Sequence, residues 1–437
     1  MKKVFQTGIF LFCFKTIALG QSFDPTLAGK LQFKIDSMRV AGNLRGISLC
    51  VIRPGIGTWT GVSGISHPGT PIHPGMEFGI GSNTKLFTGV LMLKLAEKGI
   101  ISLNDSLHSF LPAYPNIDSN ITIRQLLNHT SGLFDVTSVS GYSDSILANP
   151  GRVFKTEELM KWMGPPLFPP GKGWNYCNTN YLLAGLIAER ATGKTYARLL
   201  RDSILSPLKL DSTFLDVYES VPTLVAHPWQ AGKDNFLVPR VAVNSAAWSA
   251  GAMYSTASEM AQWYQALMNG RVLNATSFRE MTTFVGSGDY GIGLFRTDVQ
   301  GRTVWQHGGS IWGGYNSSML YETASGIIIS VLINQQPAKA FQVSAQLLSV
   351  LTSQTLDTDE KSSNNAEIKI FPNPADEEVV VQTPGSELLE VKIVSPVGHL
   401  MSTSANSEIN VSWLPSGTYF VVVETTAGIF RSKLLIR

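Results

Sequence analysis

The sequence predicts an α+β protein in which an antiparallel sheet flanked by helices stands beside an all-helical lobe, followed by a small all-β, immunoglobulin-like sandwich. Three observations predict this. Segments of period two lie at both ends of residues 25–355, with helical patterns between them, so a single sheet built from both ends is the simplest packing. The stretch 86–95 is apolar on almost every side, as suits a helix in the middle of a domain. Beyond a polar stretch rich in Ser and Asn, short alternating strands recur with Pro, Gly or Asn between them.

The chain has 437 residues, 44% of them hydrophobic and 15% charged, enough for two or three domains and a large core. Met1-Lys2-Lys3, an apolar run at 9–14 and Ala18-Leu19-Gly20 have the three parts of a signal peptide, expected to be residues 1–20. That run is too short to span a bilayer, so no transmembrane segment is expected in the mature chain. Removing it takes away Lys2, Lys3 and Lys15 and no acid, so the formal charge goes from +2 to −1. Such a surface offers no footing for nucleic acid or an anionic membrane. Cys50 and Cys177 then remain and read as separate thiols.

Taken in order, residues 25–43 are helical, and 46–51 and 58–65 are strands joined by a Pro-Gly turn. Phe78-Gly79-Ile80-Gly81 turns into the apolar helix. Thr122-Ile123-Arg124-Gln125 is a capping box ahead of Leu126 and Leu127, with Gly132 as the expected stop. Residues 136–152 look like a surface loop, and 180–191 and 259–268 are helical. Strands are expected at 293–296, 303–306, 315–321 and 327–333, and a closing helix at about 339–352. A first domain is thus expected over 21–356, a linker over 357–366 and the sandwich over 367–437. Six sandwich strands are expected, at 368–371, 378–382, 389–394, 409–413, 419–424 and 429–435.

Ser82 and Lys85 stand three apart at the start of the apolar helix, so their side chains share one face. A hydroxyl, an amine and an anion-friendly helix start are the parts of an activated nucleophile, although Ser-x-x-Lys alone also suits an ordinary N-cap. Three further pieces follow in order: Tyr176-Cys177-Asn178, Tyr290-Gly291-Ile292-Gly293 and His307-Gly308-Gly309-Ser310. With Leu127-Asn128-His129-Thr130-Ser131-Gly132-Leu133, this order resembles the serine β-lactamase and penicillin-recognising D-alanyl-D-alanine peptidase superfamily. It looks most like the class C β-lactamase-related esterases and peptidases.

The resemblance implies that Ser82 forms an acyl-enzyme, with Lys85 or Tyr176 as its base and Tyr176 as proton donor to the leaving group. Asn178 would bond Lys85 and the substrate amide, and the backbone N–H groups of Ser82 and Ser310 would form an oxyanion hole. His307 is counted with the catalytic residues. Gly308 and Gly309 would let substrate lie close to the strand, and Trp174 and Trp312 are candidate cleft walls. Where many relatives have Lys-Thr-Gly, His307-Gly308 removes a permanent cation and a hydroxyl. Substrates without a carboxylate, esters or amides, are therefore expected. The alternatives are a penicillin-binding or peptidoglycan-sensing protein without turnover, and a true class C-like β-lactamase.

A Ser-His-Asp hydrolase recruiting His129, Asp135 or His307 competes poorly, because no Gly-x-Ser-x-Gly occurs. His129 reads as structural, His67 and His73 as surface residues and Trp248 as core. No cofactor is expected, and no metal, since no cluster of ligands has metal spacing. Phe371-Pro372-Asn373-Pro374-Ala375 and Leu414-Pro415-Ser416-Gly417-Thr418-Tyr419 resemble the C-terminal sorting domain of type IX secretion. That resemblance implies contact with the secretion machinery and an extracellular or outer-membrane-surface location.

Overall fold

The computed structural model describes residues 23–221, 224–311, 313–353, 368–395, 400–426 and 428–437. The expected signal peptide and the expected linker, 357–366, lie outside the described residues.

Both ends of the catalytic unit meet in one seven-stranded antiparallel sheet. Its order is Thr70–Pro71, Gly57–His67, Gly46–Arg53, Ile328–Ile333, Tyr315–Glu322, Arg302–Ile311, Phe295–Val299. The closing pair sets Leu49 opposite Val331 and Cys50 opposite Ser330. Side chains of a strand alternate between faces. Ile47, Leu49 and Val51 accordingly join the core under the helices Pro25–Ala41 and Ala340–Ser353, while Cys50 and Ile52 join the larger core on the other face. A sheet covered on both sides needs no polar face, which is why Gly46–Arg53 is buried at seven successive positions.

The helix Thr84–Glu97 runs through the larger core, with eleven of its residues buried. Phe87 stacks on Trp263 at 4.5 Å. Asn178–Thr192 and Val241–Gly251 pack beside it. Cys50 and Cys177 are both free and buried.

Four expectations are corrected. Residues 136–152 are not a plain loop: they hold a turn at Val136–Ser138 and the helix Tyr142–Leu147, whose Tyr142 and Ile146 are buried one helical turn apart. The small polar residues between them hid that pair. The helix Ile123–Leu127 has the capping box, but His129 and not Gly132 takes the first left-handed conformation, with φ 63°. Histidine tolerates that region better than most side chains. His307-Gly308-Gly309-Ser310 does not follow its strand but lies within Arg302–Ile311, because Tyr315–Glu322 pairs along it as far as Ile311. Poor β-propensity of glycine masked the extension.

The fourth correction concerns the C-terminal region. It forms two all-β sheets around a shared core that includes Val379, Val391, Ile409, Val421 and Leu434. Leu400–Ser404 is a strand beyond those expected. Its half-exposed edge position leaves only a weak alternation to read.

Candidate active site

Ser82 lies in the 3-10 turn Gly81–Asn83 that leads into the long buried helix. The turn is held from two sides. Ile80 donates its N–H to Met253 O at 3.0 Å, and the Ser317 hydroxyl donates to Ile80 O at 2.7 Å while accepting from Asn83 Nδ2 at 2.8 Å. Gly81 has φ +52°, and a Cβ there would stand 2.7 Å from Ser310 N. Only glycine lets the serine turn press this closely on the strand. Gly309 serves the same contact, since its Cβ would stand 2.0 Å from Ile80 O. Gly308 meets nothing nearer than 3.7 Å and leaves open room. The two glycines therefore differ: Gly308 clears the cleft, whereas Gly309 docks the strand on the serine turn.

Phe295–Val299 pairs with Arg302–Ile311 only as far as Gln306. From His307 onward that edge has no strand partner among the described residues.

Lys85 is fully buried, and its Nζ reaches Ser82 Oγ at 3.1 Å, Asn178 Oδ1 at 2.8 Å and Ala250 O at 2.8 Å. The Ala250 carbonyl is free to accept because it belongs to the last turn of Val241–Gly251. Burial lowers the Lys85 pKa to about 7, against a smaller upward pull from the Asp135 carboxylate. The amine is therefore part neutral at neutral pH.

Tyr176 is turned to the same point. Its ring lies 5.0 Å from Lys85 Nζ. Burial raises its phenol, partly offset by a hydrogen bond with Ser82, so the phenol stays protonated. Asn178 has both ends occupied. Its Oδ1 accepts from Lys85, and its Nδ2 donates to Asp135 Oδ2 at 3.0 Å and Thr137 Oγ1 at 3.2 Å. The contact expected with Lys85 is present, but no amide proton is left for a substrate.

His129 sits beneath this group. Its Nδ1 accepts from Cys177 N at 3.2 Å and Asn180 Nδ2 at 3.0 Å, and its ring lies 4.5 Å from that of Tyr176. It thus ties together the segment that carries both Tyr176 and Asn178. His307 is also buried. Its Nδ1 donates to Gly308 O at 2.6 Å, and its Nε2 accepts from Tyr290 Oη at 3.2 Å. Burial, then the charge of Lys85, lowers its pKa to about 3, so the imidazole is neutral. Asp135 and Thr137 complete the site without belonging to any of the ordered motifs, while Tyr290, which opens one of them, engages His307. Asp135 lies 43 residues from Asn178, and no spacing signals that contact.

Two cavities flank Ser82. One of about 310 Å³ is walled by Thr137, Tyr142, Asn178 and the small residues Ala246, Ala247, Ala250 and Gly251. The other, about 580 Å³, is walled by Tyr176, Phe295, His307, Gly308 and the start of the helix Ala340–Ser353. Ser310 lines both. Trp174 lines neither; it packs over Gly286 and Gly288 and against Tyr290. Trp312 lies outside the described residues. Among the described residues no cluster of His, Cys, Asp or Glu could hold a metal, and no helix is long and apolar enough to cross a membrane.

The Beta-lactamase family profile matches residues 31–352. The chain belongs to the beta-lactamase family. It is accordingly a serine hydrolase of the beta-lactamase fold. A second profile, the Secretion system C-terminal sorting domain, matches residues 369–437, so the chain carries the tail of type IX secretion cargo. Among curated beta-lactamase relatives it is similar to "Putative penicillin-binding protein PbpX" of Bacillus subtilis (strain 168). The two are 27% identical over 283 residues, which is 64% of this chain and 68% of that one. Among solved structures it resembles the D-stereospecific amidohydrolase from Streptomyces sp., with TM-score 0.65 and 29% identity over 76% of this chain and 99% of that one. It also resembles the D-amino acid amidase from Ochrobactrum anthropi SV3 complexed with L-phenylalanine amide, with TM-score 0.67 and 26% identity over 76% and 99%.

Proposed function

We propose that this beta-lactamase family member is an exported hydrolase of esters or amides, of the D-amino-acid amidase or peptidase type, working through an acyl-enzyme on Ser82. The observation that carries the reading is Lys85 Nζ at 3.1 Å from Ser82 Oγ with its pKa near 7. A buried neutral amine takes the serine proton as Oγ attacks the carbonyl carbon. Tyr176, protonated, is suited to donate to the departing atom rather than to act as the first base. The negative charge on the carbonyl oxygen is met by the N–H groups of Ser82 and Ser310, brought together by the Gly81 contact. The unpaired edge from His307 onward can accept an extended substrate as an added strand. Water entering on the same path, activated through Tyr176 and Lys85, then releases the acyl group.

Similarity to the amidohydrolase and the amidase favours D-amino-acid amides as substrates. Similarity to the penicillin-binding protein favours the second reading, acylation without turnover. Residues 1–20 as signal peptide and the sorting tail would carry the hydrolase to the outer-membrane surface or beyond.

A fluorophosphonate probe with peptide mass spectrometry tests the first step. Label on Ser82, lost in Ser82→Ala and Lys85→Ala, is expected. Steady release of p-nitrophenol from esters, or of ammonia from D-amino-acid amides, with a large loss in Tyr176→Phe, is expected of the hydrolase. Stoichiometric labelling without turnover would select the second reading, and absence of label on Ser82 would refute both.

A further inference from the structure

We infer that the acyl half of the substrate carries an extended apolar chain, which runs through the smaller cavity beside Ser82 into a third cavity beyond it. This deepens the acyl-enzyme reading above and rests on it. In that reading the Ser82 Oγ–carbon bond forms, and the bond from the same carbon to the leaving oxygen or nitrogen breaks. The serine proton passes to Lys85, and the phenolic proton of Tyr176 passes to the departing atom, the proton on Lys85 then restoring the phenol. Tyr176 lines the larger cavity and does not line the smaller. The leaving group therefore departs on the larger side, and the acyl group is left to the smaller.

The smaller cavity does not end the path. A third cavity, of about 450 Å³, shares Ser143 and Val243 with it. Two helices carry the walls from one to the other. On Tyr142–Leu147, Ser143 lines both cavities, and Leu147, one turn on, lines the third. On Val241–Gly251, Val243 lines both, and Ala246 and Ala247, one turn on, line the smaller.

The polar groups of the third cavity are spent on the protein itself. Among the described residues lining it, Arg240 is the one charged side chain. Its Nε pairs with Asp216 Oδ2 at 2.7 Å, and its guanidinium lies 5.0 Å from the centre of the Tyr254 ring. Tyr315 Oη donates to Ala226 O at 2.5 Å, Tyr254 Oη accepts from Asn244 Nδ2 at 3.3 Å, and Asn235 Nδ2 donates to Gly313 O at 3.1 Å. What remains for a ligand is apolar. Leu147, Phe236 and Val238, from two distant segments, stand around the cavity 49%, 42% and 48% exposed. Exposed apolar side chains gathered about a concavity mark a binding surface. The rim is held in place: Phe236 stacks on the His227 ring at 3.8 Å, and His227 Nδ1 donates to Asp234 Oδ2 at 2.7 Å. An apolar chain continuing from the acyl carbon gains by covering these side chains, whereas a charge at its far end would meet a cation already paired.

The test uses the purified chain with p-nitrophenyl butyrate, p-nitrophenyl octanoate and the octanoate analogue with a carboxylate at its far end, all below micelle-forming concentrations. The readout is the second-order rate of p-nitrophenol release, which reports acylation whether or not turnover follows. Wild type should favour octanoate over butyrate by about tenfold, since four added methylenes are only part covered at an open rim. It should favour octanoate over the carboxylate analogue by at least as much. Leu147→Glu and Val238→Glu should each bring the octanoate-to-butyrate ratio near one, and Leu147→Met and Val238→Ile should retain it. Fluorophosphonate labelling of Ser82 counts the folded active sites in each variant and normalises the rates. Equal rates on butyrate and octanoate in wild type, a ratio unmoved by both glutamates, or a preference for the carboxylate analogue overturns the assignment of the third cavity while leaving the acyl-enzyme intact. Failure of Ser82 to label in wild type would instead remove the acyl-enzyme reading, and the inference with it.

Discussion

Asp135→Asn should shift the acid limb of the pH–rate profile downward. Asp135 reaches Lys85 through a single carboxamide: Asp135 Oδ2 to Asn178 Nδ2 is 3.0 Å, and Asn178 Oδ1 to Lys85 Nζ is 2.8 Å. The charges are therefore about 7 Å apart, which at an effective dielectric of about 20 corresponds to ~2 kcal/mol. Asp135 is half-buried, so solvent screening reduces this to roughly 1.4 kcal/mol, or about one pKa unit. The carboxylate favours the charged amine and raises the Lys85 pKa. Without that charge the neutral base persists to lower pH, and the limb, expected near 7 from the Lys85 pKa, should move to about 6. At pH 6 the variant should then work about fivefold closer to its own plateau than wild type does. Asparagine keeps an oxygen that can accept from Asn178, so geometry is largely preserved. Asp135→Ala removes that acceptor as well and should lower the plateau. The assay is kcat/KM for a p-nitrophenyl ester from pH 5 to 9, with uncatalysed hydrolysis subtracted. A limb that stays in place or moves upward in Asp135→Asn would refute Lys85 as the titrating base.

Lys85 bears also on stability. Its folded pKa, about 7, lies below the unfolded value of about 10.5, so the unfolded chain binds more protons between those values and stability rises with pH across the window. Relative to Lys85→Met, wild type should gain stability from pH 7 to 10 in urea titrations; a pH-independent difference would contradict this. His307 is depressed to about 3 from 6.5, so stability should fall as pH drops from 6.5 toward 3, and His307→Gln should flatten that slope. Gly309→Ala would set a Cβ 2.0 Å from Ile80 O, and should cost about 1–3 kcal/mol in denaturation while separating Ser310 from the serine turn. Its kcat should fall by about 100-fold through the oxyanion hole; near-normal kcat would mean the strand need not dock there.

The parts of this molecule legible in the sequence are those set by neighbours along the chain. The capping box from Thr122 to Gln125 needs only four residues to declare itself, and it is present. The apolar helix of Ser82 is legible because a buried helix must be apolar all round, and it is buried on nearly every side. Strands read at both ends of the catalytic unit, 46–51 and 327–333, do pair in one sheet. Where local signal was weak, reading stopped short. Glycines concealed the second half of Arg302–Ile311, and polar residues concealed the helix that seats Tyr142.

Pattern along the chain determined which groups are available: a serine and a lysine one helical turn apart, a tyrosine and an asparagine on a distant loop, a sorting tail at the end. Only the folded chain decided what those groups are chemically. Asp135 and Thr137 hold Asn178, and Tyr290 engages His307. The reason is physical. Periodicity and capping act over a few residues, whereas protonation depends on lost hydration and on charges set close together by distant segments of chain. An amine at position 85 is written in the sequence; an amine that is half neutral at pH 7 exists only once the core has closed around it.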